Sequence, residues 1–112
     1  MEIPNSIKKR ALDNSLEITI RVGKQGINES LIISQKSVQS DPQDAGAHYN
    51  LGITLQELGR LEEAEASYSQ AIALKPDFAE AHNNLGNTLK GLGRLDEAEA
   101  SCAQAIALKP ES

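Results

Sequence analysis

One stretch of 34 residues occurs twice in this chain: residues 45–78 and 79–112 align without a gap and differ at only ten positions. A fixed period of this length marks stacked structural repeats, because each unit leaves an apolar flank that only its neighbour can cover. In the first copy Ala47, Leu51, Leu55 and Leu58 recur at helical spacing. Gly59-Arg60 interrupts them, and Leu61, Ala64, Tyr68, Ala71, Ile72 and Leu74 form a second stripe. The other copy repeats the pattern through Leu89, Leu92, Gly93-Arg94, Leu95, Ala98, Ala105, Ile106 and Leu108. Two helices joined by so short a turn must run antiparallel. Pro76 and Pro110 close the copies, and Lys75 stands where a cation suits the negative end of a helix. Asp77 and Glu80 have the spacing of a capping box for the helix that follows.

The interior of such a stack must be built from small residues. Aromatics are 3% of the chain and there is no Trp, so Ala and Leu have to fill the core within a 39% hydrophobic content. Helices packed at short interaxial distance meet that demand, and Gly52, Gly86, Ala64 and Ala98 lack bulk where a close approach is needed. The net charge of −5 excludes a nucleic-acid backbone as the expected partner, and Lys8, Lys9 and Arg10 form the only basic run, read as solvent-facing. No apolar run approaches the roughly 20 residues of a membrane helix, and no signal-peptide core follows the first positive charges. A single cysteine rules out an internal disulfide framework, and a cytoplasmic setting is expected.

Upstream the pattern is weaker. Residues 1–6 read as a flexible lead-in and 7–112 as a single domain. Between residues 16 and 26 two periods compete: Leu12, Leu16 and Ile20 recur at helical spacing, while Leu16, Ile18, Ile20 and Val22 alternate like a strand leading to a hairpin at 23–26. Pro42 lies one period before Pro76, as Pro76 does before Pro110. This spacing favours a degenerate first copy at 11–44, with helices near 7–22 and 27–40.

The motif Leu51-Gly52, Gly59, Ala64, Tyr68, Ala71 and Pro76, with its counterparts Leu85-Gly86, Gly93, Ala98, Ala105 and Pro110, resembles the tetratricopeptide repeat, a helix-turn-helix unit of this length. His48 and His82 stand where that family often has Trp, Cys102 where it has an aromatic, and Glu17-Ile18 where Leu-Gly is expected. The resemblance implies an all-α solenoid of three stacked helix-turn-helix repeats wound as a right-handed superhelix, with the first helix of each unit, helix A, lining the concave side.

The ten differences then become informative. Gly46/Glu80, Tyr49/Asn83, Ile53/Asn87, Gln56/Lys90 and Glu57/Gly91 fall on one face of helix A; the rest, including Glu62/Asp96, Tyr68/Cys102 and Ser69/Ala103, read as scattered or conservative. Asn50 and Asn84 stay identical beside the variable face. The resemblance matches them to asparagines that grip the peptide backbone in protein O-GlcNAc transferases, and an amide suits that task by offering donor and acceptor together. Their other reading is that they cap or bridge adjacent helices. The expected peptide-binding set is Tyr49, Asn50, Ile53, Gln56, Asn83, Asn84, Asn87 and Lys90. A clamp for chaperone C-terminal carboxylates is not expected, since among Ser15, Thr19, Asn50, Glu80 and Asn84 only Asn50 fits and Glu80 repels a carboxylate.

No catalytic constellation is legible. His48 and His82 lie a full period apart and read as packing residues rather than metal ligands, Cys102 has no His or Asp partner, and the Glu-rich starts of the second helices, Glu62-Glu63-Glu65 and Asp96-Glu97-Glu99, read as solvated faces. Neither a cofactor nor a metal is expected. Cys102, Ala105, Ile106 and Leu108 would be left partly uncovered at the last helix, an edge suited to self-association. The expected function is a non-enzymatic protein- or peptide-binding scaffold. Its alternatives are the substrate-presenting repeat section of a larger transferase and a structural oligomerisation module.

Overall fold

The computed structural model describes residues 26–109. They form five helices: α1 (26–40), α2 (Ala45–Glu57), α3 (Leu61–Leu74), α4 (Ala79–Gly91) and α5 (Leu95–Leu108). Helix α1 matches the helix expected near 27–40. The lead-in at 1–6, the helix expected near 7–22 and the choice between helix-turn and hairpin at 16–26 fall on residues that lie, but for Gly26, outside the described part.

Each short turn has the same chemistry. Gly59 and Gly93 take φ of +77° and +79°, the left-handed region that a side chain disfavours. In the first turn the Gly59 amide donates to the Gln56 carbonyl at 3.0 Å and the Arg60 amide to Leu55 at 2.9 Å; Gly93 and Arg94 repeat these bonds to Lys90 and Leu89. This double closure satisfies carbonyls left over at the helix end and folds the chain straight back on itself. The pairs α2/α3 and α4/α5 therefore pack as antiparallel hairpins, and α4 lies against α3 of the preceding pair.

The helix starts differ from expectation at one point. Asp44 caps α2 by accepting from the Gly46 amide at 2.9 Å. The equivalent position before α4 is Phe78, which has no side-chain cap bond, so Asp77 and Glu80 do not form a capping box. Phe78 as the cap puts Glu80 at the second helical position instead of the third, one residue out of register for the box. The Phe78 ring packs on Tyr49 with centroids 4.8 Å apart, and the Lys75 ammonium stands 4.9 Å above it. An aromatic contact has taken the place of a hydrogen-bonded cap.

The core is continuous from unit to unit. Leu55, Ala64 and Tyr68 form its buried centre, with Leu31 of α1 packed on one side and Leu85 of α4 on the other. Gly52 is required beneath Tyr68, because a methyl group there would stand 2.6 Å from the ring. In the next unit Gly86 faces the Cys102 sulfur and the Ala98 carbonyl at comparably short range. The buried threonines Thr54 and Thr88 return their hydroxyls to the Asn50 and Asn84 carbonyls four residues back.

Candidate functional site

The two histidines each tie the start of a helix to the turn before it. In each copy the imidazole Nε2–H donates to the carbonyl of the proline six residues earlier, His48 to Pro42 at 2.9 Å and His82 to Pro76 at 3.0 Å. Each bond fastens the start of a helix A to the segment that ends the preceding unit. The signal was present in the sequence as His and Pro recurring together at a fixed offset.

The residues expected to form one face on the A helices, α2 and α4, divide among several surroundings. Tyr49, Asn83 and Asn84 line a pocket of about 410 Å³ together with Ala79, Glu80, Ala105, Ile106 and Lys109, and Lys109 forms an ion pair with Glu80 there. The Lys109 hydrogen bond holds the Glu80 carboxyl below its ordinary range. Groove and edge, separate in the sequence reading, thus share one pocket. Asn50 and Ile53 line a different hollow, between α1 and α2, with Ile33 and Thr54 among its walls. Lys90 faces a third, with Leu95, Glu99, Cys102, Ala103 and Ile106.

Three of the expected binding residues already have partners within the fold. Asn84 donates from its amide to the Tyr49 hydroxyl at 3.1 Å, which realises the bridging reading of that asparagine. Tyr49, half-buried against Tyr68 and Phe78, belongs to the seam between units and is not a free apolar spot. Gln56 accepts a 2.7 Å hydrogen bond from the Tyr68 hydroxyl. Tyr68 is 0% exposed. Burial pushes its phenol up from 10.0 to about 12, with the neighbouring Tyr49 adding to the shift. Asn50, Asn83 and Asn87, by contrast, are exposed, and their side chains make no hydrogen bond among the described residues.

The remaining expectations also resolve. Ala105 is buried at 8% exposure, enclosed within the pair it belongs to, whereas Ile106 is 67% exposed and Cys102 and Leu108 are half-buried. Tyr68/Cys102 is not a scattered difference, since the Tyr68 hydroxyl is bonded to Gln56 and the pair becomes Cys102 and Lys90 in the other copy. The acidic helix starts are solvent-exposed as expected, apart from the half-buried Glu65, and some of their carboxylates are paired. Arg60 holds Glu63 at 2.6 Å and lowers its carboxyl pKa, and Arg94 reaches across units to Glu65 at 2.6 and 2.7 Å. Sequence reasoning missed this last pair, because its members lie in different units and nothing local connects them.

Comparison with known proteins agrees with this architecture. Sequence profiles described as tetratricopeptide repeat match residues 34–66 and 79–112, and one described as TPR repeat matches 57–93. No curated protein matches the chain at a significant level. Among solved structures, a thermophilic TPR protein of Thermus thermophilus superposes with a TM-score of 0.74 at 33% identity, over 82% of this chain and 47% of that one. MamA from AMB-1 superposes at 0.72 and 25% identity, over 81% of this chain and 50% of its own. YrrB, described as a TPR protein with an unusual peptide-binding site, gives 0.73 and 25%, over 83% and 48%. The chain spans about half the length of the MamA structures it matches.

Proposed function

Because the chain belongs to the tetratricopeptide repeat family, we propose that it is a protein-interaction scaffold whose exposed A-helix amides hold an extended peptide. The observation that carries this reading is the division of labour among the polar groups of α2 and α4. Asn84 and Gln56 are spent inside the fold. Asn50, Asn83 and Asn87 keep both donors and acceptors for something else. An amide satisfies a peptide bond whatever side chain the peptide carries, so the three would set affinity for an extended backbone. Ile53 and Lys90 would add an apolar and a cationic preference at two places. The unusual peptide-binding site ascribed to YrrB supports the same class of ligand.

The test is selection of peptides from a random display library, followed by titration of the best binders against Asn50→Ala/Asn83→Ala/Asn87→Ala. These residues are exposed, so the variant should melt with the parent. A loss of affinity of about tenfold or more, worth at least ~1.4 kcal/mol, is expected. If the triple variant keeps the same ligands at the same affinity, the amides are not the site.

A further inference from the structure

Two tyrosine hydroxyls in this fold are each bonded to a side-chain amide, and the two bonds differ in their access to a ligand. Tyr68 donates to Gln56 at 2.7 Å and is 0% exposed, so nothing from outside meets that bond. Tyr49 accepts from Asn84 at 3.1 Å; both residues are half-buried, and both line the pocket of about 410 Å³ together with Asn83. A group entering that pocket meets the second bond directly.

The two halves of this bond are not equally free to move. The Tyr49 ring packs on Tyr68, with centroids 6.0 Å apart, and on Phe78 at 4.8 Å, which fixes the hydroxyl in place. Asn84 has only two side-chain torsions to turn before its amide points elsewhere. Asn50 holds the same place one period earlier. It is exposed, and its side chain makes no hydrogen bond among the described residues.

We propose that Tyr49 is an internal competitor for Asn84: its hydroxyl occupies the amide that an extended peptide would otherwise engage, and so limits how tightly the A helices hold their ligand. The inference rests on the reading that the exposed amides grip a peptide backbone, and adds to that site the residue that regulates it. A hydroxyl oxygen and a peptide carbonyl are both neutral acceptors, so exchanging one for the other gains Asn84 little. Asn50 has no such bond to give up and contributes its full share. Identical asparagines thus count unequally, and one tyrosine hydroxyl makes the difference. Tyr49 acts through Asn84 and is a positioning residue.

The probes are peptides selected from a random display library against the full chain, titrated against Tyr49→Phe, Asn84→Ala and the double variant. Phenylalanine removes the competitor and keeps the ring. Tyr49→Phe should tighten binding about three- to tenfold, the worth of one neutral hydrogen bond, while Asn84→Ala alone should change it by less than about twofold. In the double variant the gain should vanish. In nitrogen-15 spectra the Asn84 side-chain amide, identified by its loss in Asn84→Ala, should shift in free Tyr49→Phe and should also leave its resting position when peptide saturates the parent. A Tyr49→Phe chain that binds no tighter, a gain that survives Asn84→Ala, or a large loss from Asn84→Ala alone overturns the proposal. If Asn50→Ala/Asn83→Ala/Asn87→Ala loses the peptides while Tyr49→Phe gains nothing, the competitor falls and the amide row stands; peptides held equally by that triple variant strike down both.

Discussion

The units 45–78 and 79–112 share most of their residues yet present different surfaces. In the first, Tyr68 is enclosed, its hydroxyl held by Gln56, with the Tyr49 ring tilted against it and Phe78 packed in turn on Tyr49. In the second, Cys102 is half-buried, Lys90 points to a hollow, and Asn83 is exposed where Tyr49 was. Identical residues diverge as well: Leu61 and Ile72 are half-buried while Leu95 and Ile106 stand out in solvent. Burial in a solenoid is thus set by the neighbour and not by the unit. The differences at 49, 56 and 68 follow from that. A bulky aromatic with a polar tip is useful where a following helix covers it, and it is absent where none does among the described residues.

This contrast can be broken at its centre by Tyr68→Cys, which gives the first unit the second unit's residue. Removing an enclosed ring leaves a cavity as well as a lost hydrogen bond, so a cost of about 3–4 kcal/mol is expected, measured from urea midpoints at unchanged m-value. Cys102→Tyr, made into an open hollow, should change stability by less than about 0.5 kcal/mol; equal effects would mean that the two environments do not differ.

The next contrast sets Gly52→Ala against Gly86→Ala. The first forces a methyl group into a ring that cannot move, at a cost of about 2–3 kcal/mol. The second meets the Cys102 sulfur, which has space beside it, and the Ala98 backbone carbonyl at 3.1 Å; with no enclosed ring to displace it should cost less. Thermal melts rank the two.

Titration sharpens the comparison further. Tyr68 has a folded pKa raised to about 12 against 10.0 unfolded, so its contribution is fully present below pH 10 and is lost as pH rises towards 12. The parent should lose at most about 2–3 kcal/mol by this route, two units at 1.36 kcal/mol each. Tyr68→Phe should lack that part of the alkaline decline; an identical decline in both would assign it to other groups.

The smallest effect concerns the acidic counterparts. Glu65→Ala removes a half-buried partner of Arg94 and should cost about 0.5–1 kcal/mol, reduced by salt. Glu99→Ala should cost nothing measurable in the chain alone. A double-mutant cycle of Glu65 with Arg94 isolates the pair.

Much of this was legible before any coordinates. The Gly-Arg turns, the apolar stripes and the closing prolines gave α2 to α5 and their antiparallel pairing, since these rest on local propensity and short-range geometry. The site was legible only in part. The free amides of Asn50, Asn83 and Asn87 lie on the expected helix face, but Asn84, Gln56 and Tyr49 were taken up by partners outside their own helices. The capping box at Asp77 failed because a single residue of register, placed by Phe78 packing on Tyr49, decides which side chain is the cap.

By itself the sequence determined the period, the helices and the small residues at the crossings, because a repeat must solve the same local problem each time. Only the tertiary structure decided which copies of a residue are covered, which amides are spent and which acid finds its arginine. Those outcomes depend on what the next unit brings within contact, and contact across units is a property of the stack and not of any one phrase in it.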